Sequence, residues 1–171
     1  MRPVLVAACL LAGAACSKKS GAVADGGASP YASADLATKL SHPCSLLLRS
    51  DAEEILGPGE LQQQEEPGPP GDARCVWAVK GQRGFVELHV NFPTRKDGFD
   101  EPHADRAPVS GVGDRAYVQK RLSWGHVDFI KGDQTFFVQI EHGSLADGRP
   151  KSADQVRSET IVLARTVAGR L

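Results

Sequence analysis

The stretch that decides the fold is Trp124-Gly125-His126-Val127-Asp128-Phe129-Ile130-Lys131-Gly132-Asp133-Gln134-Thr135-Phe136-Phe137-Val138-Gln139-Ile140-Glu141-His142. Gly132-Asp133 is a two-residue turn signal between two runs rich in aromatic and β-branched residues, the pattern of an antiparallel hairpin. Counting outward from it pairs Phe129 with Phe136, Val127 with Val138 and Gly125 with Ile140 on an apolar face. The opposite face then carries Ile130 with Thr135, Asp128 with Phe137, His126 with Gln139 and Trp124 with Glu141. Side chains alternate along a strand, so the first face is core and the second is polar with three large apolar side chains.

Working outward, Arg115 to Gln119 adds a strand before this hairpin, introduced by the turn-like Ser110-Gly111-Val112-Gly113-Asp114. Gly111-Val112-Gly113 is too short for a phosphate-binding fingerprint and precedes a strand, which rejects a nucleotide site. An earlier hairpin is expected from Arg74 to Lys80 and Phe85 to Phe92 around Gly81-Gln82-Arg83-Gly84. A four-residue turn there faces Val79 with Val86, Trp77 with Leu88 and Cys75 with Val90 on one side, and leaves Ala78, Glu87, Val76 and His89 on the other. Leu61 to Ala73, with its Gln, Pro and Gly residues, reads as a solvated loop.

Helix signals flank the strands. Asp35 to Leu40 forms a short helical turn, and Ser50-Asp51-Ala52-Glu53 is a capping box for a helix through Ile55 and Leu56 that ends at Gly57-Pro58. Ser152-Ala153-Asp154-Gln155 caps a C-terminal helix whose Val156, Thr160, Leu163, Val167 and Leu171 recur at helical spacing, widened by Ala164 and Ala168. The expected fold is therefore α+β: about five antiparallel strands in one sheet, with the C-terminal helix and a short N-terminal helix packed on one face. No internal repeat is visible.

The N-terminus carries an address. Met1-Arg2 gives a positive start, Val4 to Leu11 an apolar stretch, and Ala12 to Ala15 a run of small residues before Cys16, the layout of a secretory signal. The apolar run from Val4 to Ala15 is too short to span a bilayer. Residues 16–33 are polar and rich in Gly, Ala and Ser, a composition that cannot offset its ordering entropy and reads as a flexible tether. The expected organisation is thus a signal peptide over 1–15, a tether over 16–33 and a single domain over 34–171. The chain has 171 residues, of which 20 are Lys or Arg and 21 Asp or Glu. Without a basic surplus to neutralise phosphates, nucleic-acid binding is excluded as a starting hypothesis.

An Ala- and Leu-rich signal ending in small residues and a Cys, followed by a polar tether, resembles bacterial lipoprotein precursors. That resemblance implies that Cys16 is the acylated first residue of the mature chain. The position three before it is Gly13, where the family usually has Leu, while Val6-Ala7-Ala8-Cys9 would leave too short an apolar core. The alternative is cleavage after Ala14, which leaves Cys16 as a free thiol. Further on, Pro43-Cys44-Ser45-Leu46-Leu47, Glu53-Glu54-Ile55-Leu56-Gly57, Cys75-Val76-Trp77 and Val112-Gly113-Asp114-Arg115-Ala116 resemble a group of small bacterial lipoproteins of unknown function, sharing Cys-x-Leu-Leu and Cys-x-Trp. This second resemblance covers Pro43 to the C-terminus. It implies a Cys44–Cys75 disulfide and an exported domain, and no activity. Ser17 after the acylated Cys is unlike the acidic inner-membrane retention signal, which points to an envelope location at the outer membrane or periplasmic face.

Chemistry has few places to sit. His42, His89, His103, His126 and His142 form neither an H-x-x-x-H nor a C-x-x-C set, so no metal site and no cofactor are expected. Ser123, His126 and Asp128 lack the strained elbow and oxyanion hole of a hydrolase. The loop from Pro93 to Val109 gathers Asp97, Asp100, Glu101, His103 and Asp105, but not at calcium-loop spacing. What stands out is the non-core face of the second hairpin: Trp124, His126, Asp128, Ile130, Phe137, Gln139 and Glu141. It reads either as a surface covered by another segment or as the site of an unknown protein or small-molecule ligand. The expected function is an exported lipoprotein, held to its membrane by N-terminal lipid, that binds without catalysis. The alternative is an envelope hydrolase or metal-dependent enzyme using His126, Asp128 and Glu141, and a third reading is a structural spacer.

Overall fold

The structure, a computed structural model, describes residues 30–68, 72–91, 99, 103–120, 122–142 and 151–171. The signal, Cys16, most of the tether, and the 92–98 and 100–102 portions of the Pro93 loop, with Asp97, Asp100 and Glu101, lie outside the described residues.

The chain runs α1 (Pro30–Ser41), a 3-10 turn (Pro43–Ser45), α2 (Arg49–Leu56), β1 (Leu61–Glu66), β2 (Asp72–Val79), β3 (Phe85–Asn91), β4 (Arg106–Pro108), β5 (Arg115–Gln119), β6 (Gly125–Lys131), β7 (Gln134–Glu141) and α3 (Ala153–Gly169). The seven strands form one antiparallel sheet in the order β1-β2-β3-β7-β6-β5-β4. Two meanders, β1 to β3 and β4 to β7, join edge to edge through β3 and β7, where Leu88 faces Val138 and His89 faces Phe137. Helix α3 lies over β6 and β7, while α2 and the 3-10 turn lie over β2 and β3. All the helical cover that touches the sheet therefore meets the face that carries Trp77, Leu88, Val127, Phe129, Phe136, Val138 and Ile140, which form the core with Leu46, Leu47, Leu163 and Val167.

The α+β expectation holds, with seven strands in place of five. The two added strands have weak side-chain signals. Leu61–Glu66, read as part of a loop, is an edge strand in which Leu61 alone is buried; its backbone ladder to β2 holds it. Arg106–Pro108, inside the Pro93 to Val109 loop, is three residues long and ends in a proline, as an edge strand can. The second hairpin has the expected register over Gly125 to Lys131, with Gly132 at φ 59° in the turn. The first does not: Trp77 faces Val86 and Cys75 faces Leu88. The loop there spans residues 79–84, because Val79 leaves the ladder to accept from the Gln82 N–H at 3.0 Å around Gly81. The slip is of even parity, so both faces keep their residues.

Helix α3 starts as expected: Ser152 Oγ accepts from the Gln155 N–H at 3.2 Å and Gln155 Oε1 from the Ser152 N–H at 2.9 Å. The Ser50 box is displaced. The cap lies two residues earlier, at Leu48, and Asp51 Oδ2 accepts from the Leu48 N–H at 2.8 Å, while Glu53 pairs with Arg49. Helix α1 begins at Pro30, within the stretch read as tether, and extends beyond the expected turn at Asp35 to Leu40. Cys44 and Cys75 form a disulfide with a Cα separation of 5.0 Å. Beside it the Trp77 indole N–H donates to the Leu47 carbonyl at 2.9 Å, so the 3-10 turn is fixed to β2 by two bonds of different kinds.

Candidate functional site

The face of the sheet away from the helices is set by register. One row across it runs Gln64, Val76, Glu87, Gln139, His126, and the next runs Glu66, Arg74, His89, Phe137, Asp128, Tyr117. Residues facing each other in a row stand close enough for their side chains to touch. The β3–β7 pairing thus brings Glu87, His89 and Arg74 of the first hairpin beside His126, Phe137 and Asp128 of the second.

Phe137 is the centre of this cluster. The His126 ring stacks on it at 5.0 Å between centroids and 25° between planes, and His89 meets it edge-on at 4.9 Å and 80°. Such geometries match the electron-rich face and electron-poor edge of an aromatic ring. His126 Nε2 lies 3.1 Å from Asp128 Oδ1, and Gln119 Nε2 donates to Asp128 Oδ2 at 3.4 Å. Burial pulls the Asp128 carboxyl up, but the hydrogen bond and charge of His126, with Arg106 and Gln119, outweigh it and hold the pKa below the usual range. Glu87 behaves oppositely: burial pushes it up, only partly offset by the Arg74 guanidinium, whose Nε lies 3.6 Å away.

One end of this face is closed. Phe99 is 6% exposed and packs edge-on against Tyr117 at 5.3 Å, with the Arg115 guanidinium 5.9 Å from the Phe99 ring centre. Ile130 and Thr135, in the strands beneath, are buried although they point away from the main core. Phe99, from the Pro93 loop, therefore packs on the side of the sheet where Ile130, one of the three large apolar residues of this face, is buried.

Of the residues singled out in the sequence, His126, Asp128, Phe137 and Gln139 meet as one cluster, and Ile130 is buried. Trp124 stands one residue before β6, 37% exposed, and its expected pairing with Glu141 is not part of the ladder, in which Glu141 faces Phe85. Both instead line a cleft with Ser123 and His142. Glu141 lies two residues along β7 from Gln139, the partner of His126, and four from Phe137, the partner of Asp128, which at about 3.4 Å per residue places its backbone ~7 Å and ~14 Å from those rows. Glu141 lines the cleft and makes no hydrogen bond to the His126–Asp128 pair, in which the His126 nitrogen nearest Asp128 is occupied by it. Among the described residues no group of three His, Cys, Asp or Glu side chains is arranged to hold a metal ion.

No protein-family model matches the chain, and neither a curated protein nor a solved structure shows significant similarity to it. Sequence reasoning did not join Arg74, Glu87 and His89 to the cluster, because the only signal for their proximity is the long-range β3–β7 pairing.

Proposed function

We propose that the protein is an exported lipoprotein, anchored through acylated Cys16, whose domain is a non-catalytic binding module that takes its partner on the open sheet face around Phe137. The observation that carries this reading is the His89–Phe137–His126 ring cluster on the face the helices leave bare. Its aromatic centre, ringed by Arg74, Glu87, Asp128 and Gln139, has the composition of a recognition surface: apolar contact at the middle and hydrogen-bonding groups at the rim. The signal-like N-terminus, the polar tether and a disulfide suited to an oxidising compartment support the address.

The test places a photo-crosslinking side chain at Gln139 in the full chain, expressed in its own cell, with a second at Glu53 on exposed α2 as control. A discrete adduct from position 139, absent from position 53 and lost on Phe137→Ala with the melting temperature kept, is expected. Adducts of equal yield from both positions, or none, reject the open face as the binding surface. The denatured mass of the same material tests the anchor separately. A mature chain starting at lipid-modified Cys16 is expected, and one starting at Ala15 without lipid overturns it.

A further inference from the structure

The residue before β6 and the end of β7 form a second place, distinct from the open face. A Cβ at Gly125 would fall 1.7 Å from Thr160 Oγ1, so only glycine lets α3 come this close to the start of β6. That approach sets the first turns of α3 beside Trp124 and His142. The segments enclose a cleft of about 310 Å³ lined by Ser123, Trp124, Glu141, His142, Lys151 and Val156.

Among the described residues the charges of the cleft do not cancel. Glu159 Oε2 lies 2.8 Å from His142 Nε2, and Glu159 Oε1 accepts from Lys151 Nζ at 2.6 Å. The lysine is therefore answered within the protein. His142, whose side chain is 5% exposed, is held below its ordinary pKa by burial, helped by the charge of Lys151, which disfavours its protonated form. The Glu141 carboxylate makes no hydrogen bond or ion pair among the described residues, and one negative charge is left facing the cleft beside an indole. Trp124 supplies that indole at 37% exposure, whereas Trp77, the other tryptophan of the chain, is buried.

We infer that this cleft binds a small organic ammonium ion, with its cationic head on the Trp124 ring and against the Glu141 carboxylate. The indole face attracts a cation through its quadrupole, and a carboxylate beside it adds charge and accepts any N–H the ion carries. An anion would meet Glu141 directly, and a neutral apolar guest would strip water from that carboxylate without replacing it. The volume is at the small end for ligand sites, fitting an alkylammonium the size of ethanolamine or choline. Such a head occurs both as a free amine and as a lipid headgroup.

The test is calorimetric titration of the full chain with ethanolamine, with choline, and with 3,3-dimethylbutan-1-ol, in which carbon replaces the nitrogen of choline. Saturable binding of at least one ammonium, about tenfold or more tighter than the neutral alcohol, is expected, and Trp124→Ala and Glu141→Gln should each weaken it by about tenfold with melting temperatures kept. Phe137→Ala should leave it unchanged, which separates this site from the open face. Absence of binding by both ammonium ions up to ~10 mM, equal binding of the alcohol, or full affinity in Glu141→Gln overturns the proposal. Tryptophan fluorescence of the full chain in phosphatidylethanolamine vesicles, compared with phosphatidylglycerol vesicles, then identifies the source. A blue shift specific to the first marks a lipid headgroup, and its absence beside soluble binding marks a free amine.

Discussion

Arg170, the residue that ends α3, donates from Nη2 to Asp51 Oδ1 at 2.8 Å, joining the end of the last helix to the first turn of α2. Its Nη1 also donates to the Leu46 carbonyl at 2.6 Å and to Asp51 Oδ2, the oxygen that accepts from the Leu48 N–H. Asp51 is thus cap and ion-pair partner at once, and its hydrogen bonds raise the Arg170 pKa further. Both groups are partly buried, so screening by water is incomplete. Asp51→Ala should cost about 1–3 kcal/mol, because it strands a guanidinium and an amide N–H together. A double-mutant cycle with Arg170→Met should return a coupling of at least ~0.5 kcal/mol; additive losses measured by urea unfolding would show that the pair contributes nothing of its own.

The disulfide joins Cys44 and Cys75, 31 positions apart in the chain. In the loop-entropy picture a closure of that length stabilises by roughly 3–4 kcal/mol, because the unfolded chain loses the freedom that the bond removes. Its place reinforces this, since Leu46 and Leu47 behind Cys44 are fully buried against β2. The Cys44→Ala/Cys75→Ala double variant should lose that amount in chemical denaturation and still fold, because the Trp77 indole bond to Leu47 persists. A loss under ~1 kcal/mol would mean that packing alone fixes the segment.

How much of this was legible in the sequence follows from range. The Gly132-Asp133 turn leaves a single way to count, so Phe129 to Phe136 and the pairs beyond it come out in register. Around Gly81 several turn lengths are compatible with the same residues, and the alternation preserves faces but not partners. Leu61–Glu66 has no apolar alternation to read, since an edge strand of this sheet buries little. The capping box of α3 is legible because Ser152 and Gln155 are both of capping type. At α2 the carboxylate of Asp51 takes the role while a leucine stands at the cap. The His89–Phe137 contact is the least legible, since 48 residues separate the partners and nothing local encodes the join between the meanders.

Ile130 and Trp124 were equivalent as apolar residues on a non-core face, and the structure separates them. Ile130 is 1% exposed, on the side of the sheet where Phe99 packs on Tyr117. Ile130→Ala should therefore cost about 2–4 kcal/mol, the usual loss for a truncated buried isoleucine. Trp124→Ala removes a side chain that is already in contact with water, and should change stability by no more than about 1 kcal/mol. Differential scanning calorimetry of the two variants decides it. Equal losses would mean that Trp124 belongs to a second core instead of the wall of a cleft.

His142 gives the fold a pH dependence whose sign can be worked out. Burial, with Lys151 nearby, lowers its pKa from the ordinary 6.5 against the opposing pull of Glu159, so the unfolded chain binds a proton more readily than the folded one. The folded state carries no penalty from this group above pH 6.5, loses stability as pH falls below 6.5, and stops losing it once the folded imidazole is itself protonated. Glu87 acts in the opposite direction from its ordinary 4.5 upward, because a carboxyl raised by burial favours folding when protonated. The two overlap, so the informative quantity is the difference between the wild-type protein and His142→Gln, in which Glu87 cancels. That difference in unfolding free energy should be flat above pH 6.5 and should grow in favour of His142→Gln as the pH is lowered from there. A difference that is constant across the range would show that the bond to Glu159 balances burial at the end of β7, and one that grows in favour of the histidine would show that the ion pair prevails; either contradicts the expected sign.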